Sequence, residues 1–147
     1  MTRKFILVHD LARQNAKRAI DSAPVGYEVL VREARKSRDQ EERYHAMIGD
    51  IADQWKYLDR KWDAESMKRL LVAAFKEDTK RDEDLRPLWV EMGEMELVPG
   101  IRGGFTVLGT QTRRFPKRLA TAFIEWLFAL GAELEIAWSD PKERAVA

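Results

Sequence analysis

Cysteine is absent from the 147 residues. Disulfides, thiol nucleophiles and thiolate metal sites are excluded together. Histidine is scarce, with only His9 and His45 present. Neither has a partner at a metal-ligand spacing, so both read as structural or exposed groups. Long apolar runs are also missing. The start MTRKFILVHD offers four such residues, Phe5 to Val8, too few for a signal-peptide core, and no stretch approaches a membrane span. The expectation is a soluble intracellular protein with no membrane association. Glycine clusters only in GIRGGFTVLG. That run lacks the Lys-Ser/Thr ending of a P-loop and the strand–turn–helix setting of a dinucleotide fingerprint. No local signature of a Ser-His-Asp arrangement is present. Asp50 and Asp53, three apart on one helical face, are the pair a Mg²⁺ nuclease would need. Most helical surfaces offer such a pair, and solvation explains it better. The chain reads as a non-enzyme that needs no cofactor.

A dominant charge sign is missing as well. Twenty-six Lys and Arg oppose 25 Asp and Glu, a net of +1. The distribution is uneven. Residues 1–38 carry nine basic and four acidic groups, residues 39–99 ten and sixteen, and residues 100–147 seven and five. Both ends are basic and the middle is acidic, an arrangement that can focus a positive patch at small net charge. At 17.1 kDa, one domain with a real core is expected.

The fold class expected is α+β. Lys4–His9 and Tyr27–Val31 read as strands around a weakly amphipathic helix that Asp10 can cap, a β-α-β pattern over residues 1–33. Residues 37–76 read as an antiparallel helical pair. Tyr44, Met47, Ile48, Ile51, Trp55 and Leu58 form one face, and Met67, Leu70, Leu71, Ala74 and Phe75 form the other. Asp63 is the expected cap of the second helix. Residues 97–140 read as strand, helix, strand. Phe105–Leu108 is the first strand. A helix runs from Pro116 to Leu130 and is closed by Gly131, and Leu134, Ile136 and Trp138 alternate as a last strand. That helix is apolar on several sides. Phe123, Trp126, Leu127 and Leu130 are the expected contacts with a second subunit.

Two basic clusters sit at expected helix starts. One holds Arg32, Arg35, Lys36, Arg38 and Arg43. The other holds Arg113, Arg114, Lys117 and Arg118 beside Thr110 and Thr112. Backbone N–H groups, hydroxyls and guanidinium forks there all favour phosphate. Trp62, in a polar loop, is the candidate for base stacking. Lys68 and Arg69 on the second helix are further candidates, although a solvated helix face would look the same.

The segments Arg32–Ala52, Trp62–Lys68, Phe105–Arg113, Phe128–Glu133 and Ile136–Asp140 together resemble the phage NinB recombination proteins. The likeness runs over nearly the whole chain. It rests on the order and spacing of the segments rather than on any one motif. It implies an α+β fold in an intertwined homodimer. It also implies binding of single-stranded DNA, contact with the host single-strand-binding protein, and help in loading a recombinase or annealing protein. The implied setting is the cytoplasm of a bacterial host. The alternative is an adaptor that recruits the single-strand-binding protein without holding DNA. By this resemblance Arg35 or Arg38 with Asp39 and Gln40, Trp62 to Lys68, and Gly109, Thr112 and Arg114 match family positions. Glu41 stands where the family usually has Asn, and Tyr44 where it usually has Trp. The loop before Trp62 lacks the usual glycine, and the C-terminal tail is short.

Overall fold

The computed structural model describes residues 2–94, 96–108 and 115–140. Among these lie five helices and one two-stranded antiparallel sheet, an α+β arrangement. The chain divides into two compact units, Met1–Ala34 and Arg35–Ala147.

The first unit holds α1 (Asp10–Ser22), which buries no residue. Its cap is His9, whose Nδ1 accepts from the Ala12 N–H at 3.1 Å, and Asp10 is the first helical residue instead of the cap. The two flanking strands are not formed. Residues 4–9 and 27–31 have no ladder partner among the described residues, and Val8, Val29, Leu30 and Val31 are exposed. Strand propensity acts only where another strand supplies the other half of the ladder.

The second unit is a helical core. Helix α2 (Arg38–Gln54) and helix α3 (Ala64–Thr79) form the expected antiparallel pair. Ser37 and Gln40 close a capping box at the start of α2. Asp63 caps α3 by accepting the Ser66 N–H at 2.6 Å. The last expected core residue of the first stripe, Leu58, is outside. With Asp59 it takes a left-handed turn (φ 55° and 58°), and it is exposed. The short helix α4 (Arg86–Met92) begins around Pro87 and stops at Gly93, φ 82°. Strands β1 (Glu96–Pro99) and β2 (Phe105–Leu108) pair as a hairpin. Helix α5 (Lys117–Glu133) packs against both α2 and α3.

The core is strongly aromatic. Phe75 lies at its centre, 5.0 Å from Phe123, 5.5 Å from Trp89, 5.7 Å from Trp126 and 6.4 Å from Phe115 between ring centres. Burial of each such ring contributes about 1.5–3 kcal/mol, before specific ring geometry is counted.

Two expectations at the C-terminal end are corrected together. Helix α5 does not stop at Gly131, and residues 134–138 are not a strand. Gly131 continues the helix because the Trp138 ring occupies the space where a Cβ would be. The helix ends instead on Glu135, left-handed at φ 56°. There the Ile136 N–H donates to the Gly131 carbonyl at 2.9 Å, the closing pattern usually given to glycine. Ile136 and Trp138 are buried as expected, but side chains of α2 hold this segment, not a ladder. Gln54 exchanges two 2.8 Å bonds with the Ala137 backbone. Asp50 accepts from the Ser139 N–H at 3.0 Å and its hydroxyl at 3.1 Å.

Candidate nucleic-acid interface

The rows of contacts along α2 and α5 show that the two helices run parallel. Gln40 meets Lys117 and Thr121, Tyr44 lies 5.4 Å from Phe123, and Gln54 meets Ala137. Their N-termini therefore lie at one end of the second unit. The backbone there is joined directly. Arg35 and Pro116 form an isolated antiparallel bridge, and the Lys36 N–H donates to the Phe115 carbonyl at 3.1 Å.

Gln40 ties the two helix starts together. Its Oε1 accepts from the Ser37 N–H at 3.0 Å, and its Nε2 donates to the Thr121 hydroxyl at 2.8 Å and the Lys117 carbonyl at 3.4 Å. The sequence reading did not single out this role. The legible signal was Ser37-x-x-Gln40, a capping-box spacing.

This end gathers Arg35, Lys36, Arg38 and Lys117. Arg35, Arg38 and Lys117 are exposed and make no ion pair among the described residues. Partial burial pushes the Lys36 ammonium below its ordinary pKa. Glu41 opposes that shift and Arg35 adds to it. Two exposed positive N-termini with added cations form an anion-seeking surface, since helix dipoles and side chains act with the same sign. Asp39, Glu41 and Glu42 on the same first turns limit its field. Arg43 is directed along the helices instead, its guanidinium 5.2 Å from the ring centre of Phe128, about three turns into α5. Arg32 is exposed in the first unit. Arg113 and Arg114 lie outside the described residues.

Trp62 is elsewhere. It stands between the end of α2 and the start of α3, so a helix of 17 residues, about 25 Å long, separates it from the basic end. Its indole N–H donates to the Tyr57 carbonyl at 2.8 Å, and Arg60 covers its ring at 3.6 Å. Lys68 and Arg69 share that far end, and Lys68 pairs with Glu65 at 3.1 Å. The expected strip therefore divides into a basic end and a separate Trp62 end.

The expected subunit contacts on α5 also divide. Phe123 and Leu127 are fully buried in the chain's own core, which absorbs most of the helix's apolar sides. Trp126 and Leu130 are half-buried. With Trp55, Tyr57, Leu70, Leu71, Ala74 and Asp78 they line a cleft of about 250 Å³. The Trp126 indole N–H donates to Asp78 at 2.8 Å. Of the acidic pair, Asp50 is bonded to Ser139. Among the described residues no group of three or more His, Asp and Glu could hold a metal, and no helix is long and apolar enough to cross a membrane.

A family model described as NinB protein matches residues 1–139. The chain belongs to the NinB family. Over 119 residues it is 29% identical to the NinB proteins of Escherichia phage lambda and Salmonella phage P22, covering 80% of this chain and 70% of each relative. The same figures hold for the P21 prophage-derived NinB of Escherichia coli O6:H1. A solved structure described as "Structural Genomics, NinB" is 26% identical. It aligns with a TM-score of 0.55 over 99% of this chain and 95% of its own. The likeness to a solved NinB structure thus runs along almost the full length.

Proposed function

We propose that this NinB protein is a recombination mediator. It would hold single-stranded DNA, contact the single-strand-binding protein of the host cell, and assist loading of a recombinase or annealing protein, working as a homodimer without chemistry of its own. The observation that carries the reading is the junction of α2 and α5. Arg35, Lys36, Arg38 and Lys117 come together there on two parallel helix N-termini, joined through Gln40. The family membership supports the same assignment. A phosphate backbone crossing this end would meet cations and N–H donors and no base-reading groove. Affinity should then come mainly from counterion release and vary little with sequence.

Anisotropy of a labelled deoxythymidine oligomer, titrated at several salt concentrations, tests this. Wild type binds, and its affinity falls linearly with the logarithm of salt. Arg35→Glu with Arg38→Glu weakens binding at least about tenfold and lowers the salt slope by about one per cation lost. Equal binding by the double variant would refute the assignment of this end. Repeating the titration with the host single-strand-binding protein present separates a DNA-holding mediator from an adaptor, which would bind only in that protein's presence.

A further inference from the structure

The hairpin of β1 and β2 takes no part in the core. Its register sets Leu97 against Val107 and Pro99 against Phe105, and the two-residue period of a strand puts these four side chains on one face. Leu97, Phe105 and Val107 are 67%, 74% and 61% exposed. The tip is held tightly. Gly103 and Gly104 take left-handed backbone at φ 98° and 69°. The Gly100 N–H donates to the Gly104 carbonyl at 3.0 Å, and the Gly103 N–H to the Gly100 carbonyl at 3.2 Å. A Cβ at Gly100 would lie 2.5 Å from the Gly103 carbonyl oxygen. The turn presents Ile101, fully exposed, and Arg102 beside it. At the root, buried Lys76 donates to the Gly93 carbonyl at 3.0 Å and to Glu94 at 3.3 Å.

A lone two-stranded ribbon with an apolar face is marginal in water, so this face needs a cover. Four side chains offer on the order of 400 Å², about half of the ~800 Å² per partner that a stable protein interface needs. By area this face alone is too small to be a whole subunit interface. Nucleobases are the right size. Their faces stack on an exposed aromatic ring, and a nearby guanidinium meets the phosphates. The tether also fits. Leu108 and Phe115 are seven residues apart, at most about 25 Å, and Phe115 is bonded to Lys36 at the basic end. Phe105 is ten residues from Phe115, so at most about 35 Å of chain separates the exposed ring from that end.

We propose that the β1–β2 hairpin is a base-stacking arm for single-stranded DNA, with Phe105 as the stacking face and Arg102 as a phosphate partner at the tip. The inference rests on the single-strand-binding reading above and adds a base-dependent contact to it. The test compares a deoxythymidine oligomer with an abasic sugar–phosphate strand of equal length. Wild type should favour the base-bearing strand roughly tenfold. Phe105→Ala should lose that preference yet keep the salt slope and the melting temperature, and Phe105→Tyr should restore it. Arg102→Gln should lower the slope by about one. A wild type that binds with a preference untouched by Phe105→Ala overturns the arm alone. A wild type that binds neither strand overturns the mediator reading and the arm together. Loss of dimer mass in Phe105→Ala would assign the face to a second copy and overturn the arm.

Discussion

Asp63 shows how much one surface carboxylate can set. It accepts the Ser66 N–H at 2.6 Å, one of the four donors that a helix start leaves unpaired. The backbone bond from Ser66 is the largest cause holding its pKa below the ordinary 3.8. The Ser66 hydroxyl comes next and Arg69 also helps, while partial desolvation opposes them. A carboxylate with a depressed folded pKa stabilises the native state above its unfolded value, and that contribution is lost as pH falls through the folded one. Asp63→Ala should therefore melt lower than wild type at pH 7. The gap between their melting temperatures should close as pH drops from about 4 toward 2. Asp63→Asn, which keeps a capping oxygen, should sit near wild type with a flatter acid limb. A gap independent of pH would mean that the carboxylate's charge has no part in the cap. Lys76 is a different kind of residue. It is the one charged side chain buried among the described residues. Its three donors have to be satisfied, and the Gly93 carbonyl and Glu94 take two of them. The hairpin root is fixed as a result.

At the scale of elements, the joint between α2 and α5 decides whether the cations act as one site. Gln40→Ala removes no charge but cuts the bonds to Thr121, Lys117 and the Ser37 N–H. At about 0.5–1.5 kcal/mol per hydrogen bond, stability should fall by roughly 1.5–4.5 kcal/mol in denaturant unfolding. Affinity for single strands should fall several-fold with an unchanged salt slope, because the same number of phosphates is neutralised by worse-placed groups. A change of slope would show that Gln40 acts on the strand itself. Helices were the legible part of this fold. The apolar spacing from Tyr44 to Ile51, the Asp63 cap and the Met67–Phe75 stripe each follow from neighbours three or four residues apart. Strands were not legible in the same way, because a ladder depends on a partner remote in sequence. Among the described residues Lys4–His9 and Tyr27–Val31 have strand composition without a ladder, whereas Glu96–Pro99 forms one with Phe105–Leu108. Of the site, the basic helix starts were readable. Their convergence was not, since Gln40 reaches across 81 positions to Thr121. The surroundings of Trp62 were not legible either, since Arg60 lies over its ring at 3.6 Å.

At the scale of the whole molecule, α5 is no longer the natural place for a dimer contact. Its apolar residues lie on several sides, yet Phe123, Leu127 and Leu119 are consumed by the chain's own core. Besides the hairpin, the single chain leaves strand-forming surface uncovered in the first unit. Helix α1 buries nothing. Val29 is 60% exposed, Leu30 73% and Val31 84%, with no ladder partner among the described residues. Exposed strand-forming segments of this kind pair with another chain, and a two-fold dimer offers each copy the same segment of the other. Sedimentation at micromolar concentration should give twice 17.1 kDa for wild type. Val29→Glu with Val31→Glu should give the single mass, with little change in the melting of the helical core. It should also bind long oligomers more weakly than short ones would predict, because two basic ends on one particle raise the effective concentration of the second. Leu130→Glu, at the cleft beside Trp126, should leave the dimer intact. Dissociation by Leu130→Glu and not by the valine pair would return the interface to α5. A monomeric wild type would remove the dimer altogether.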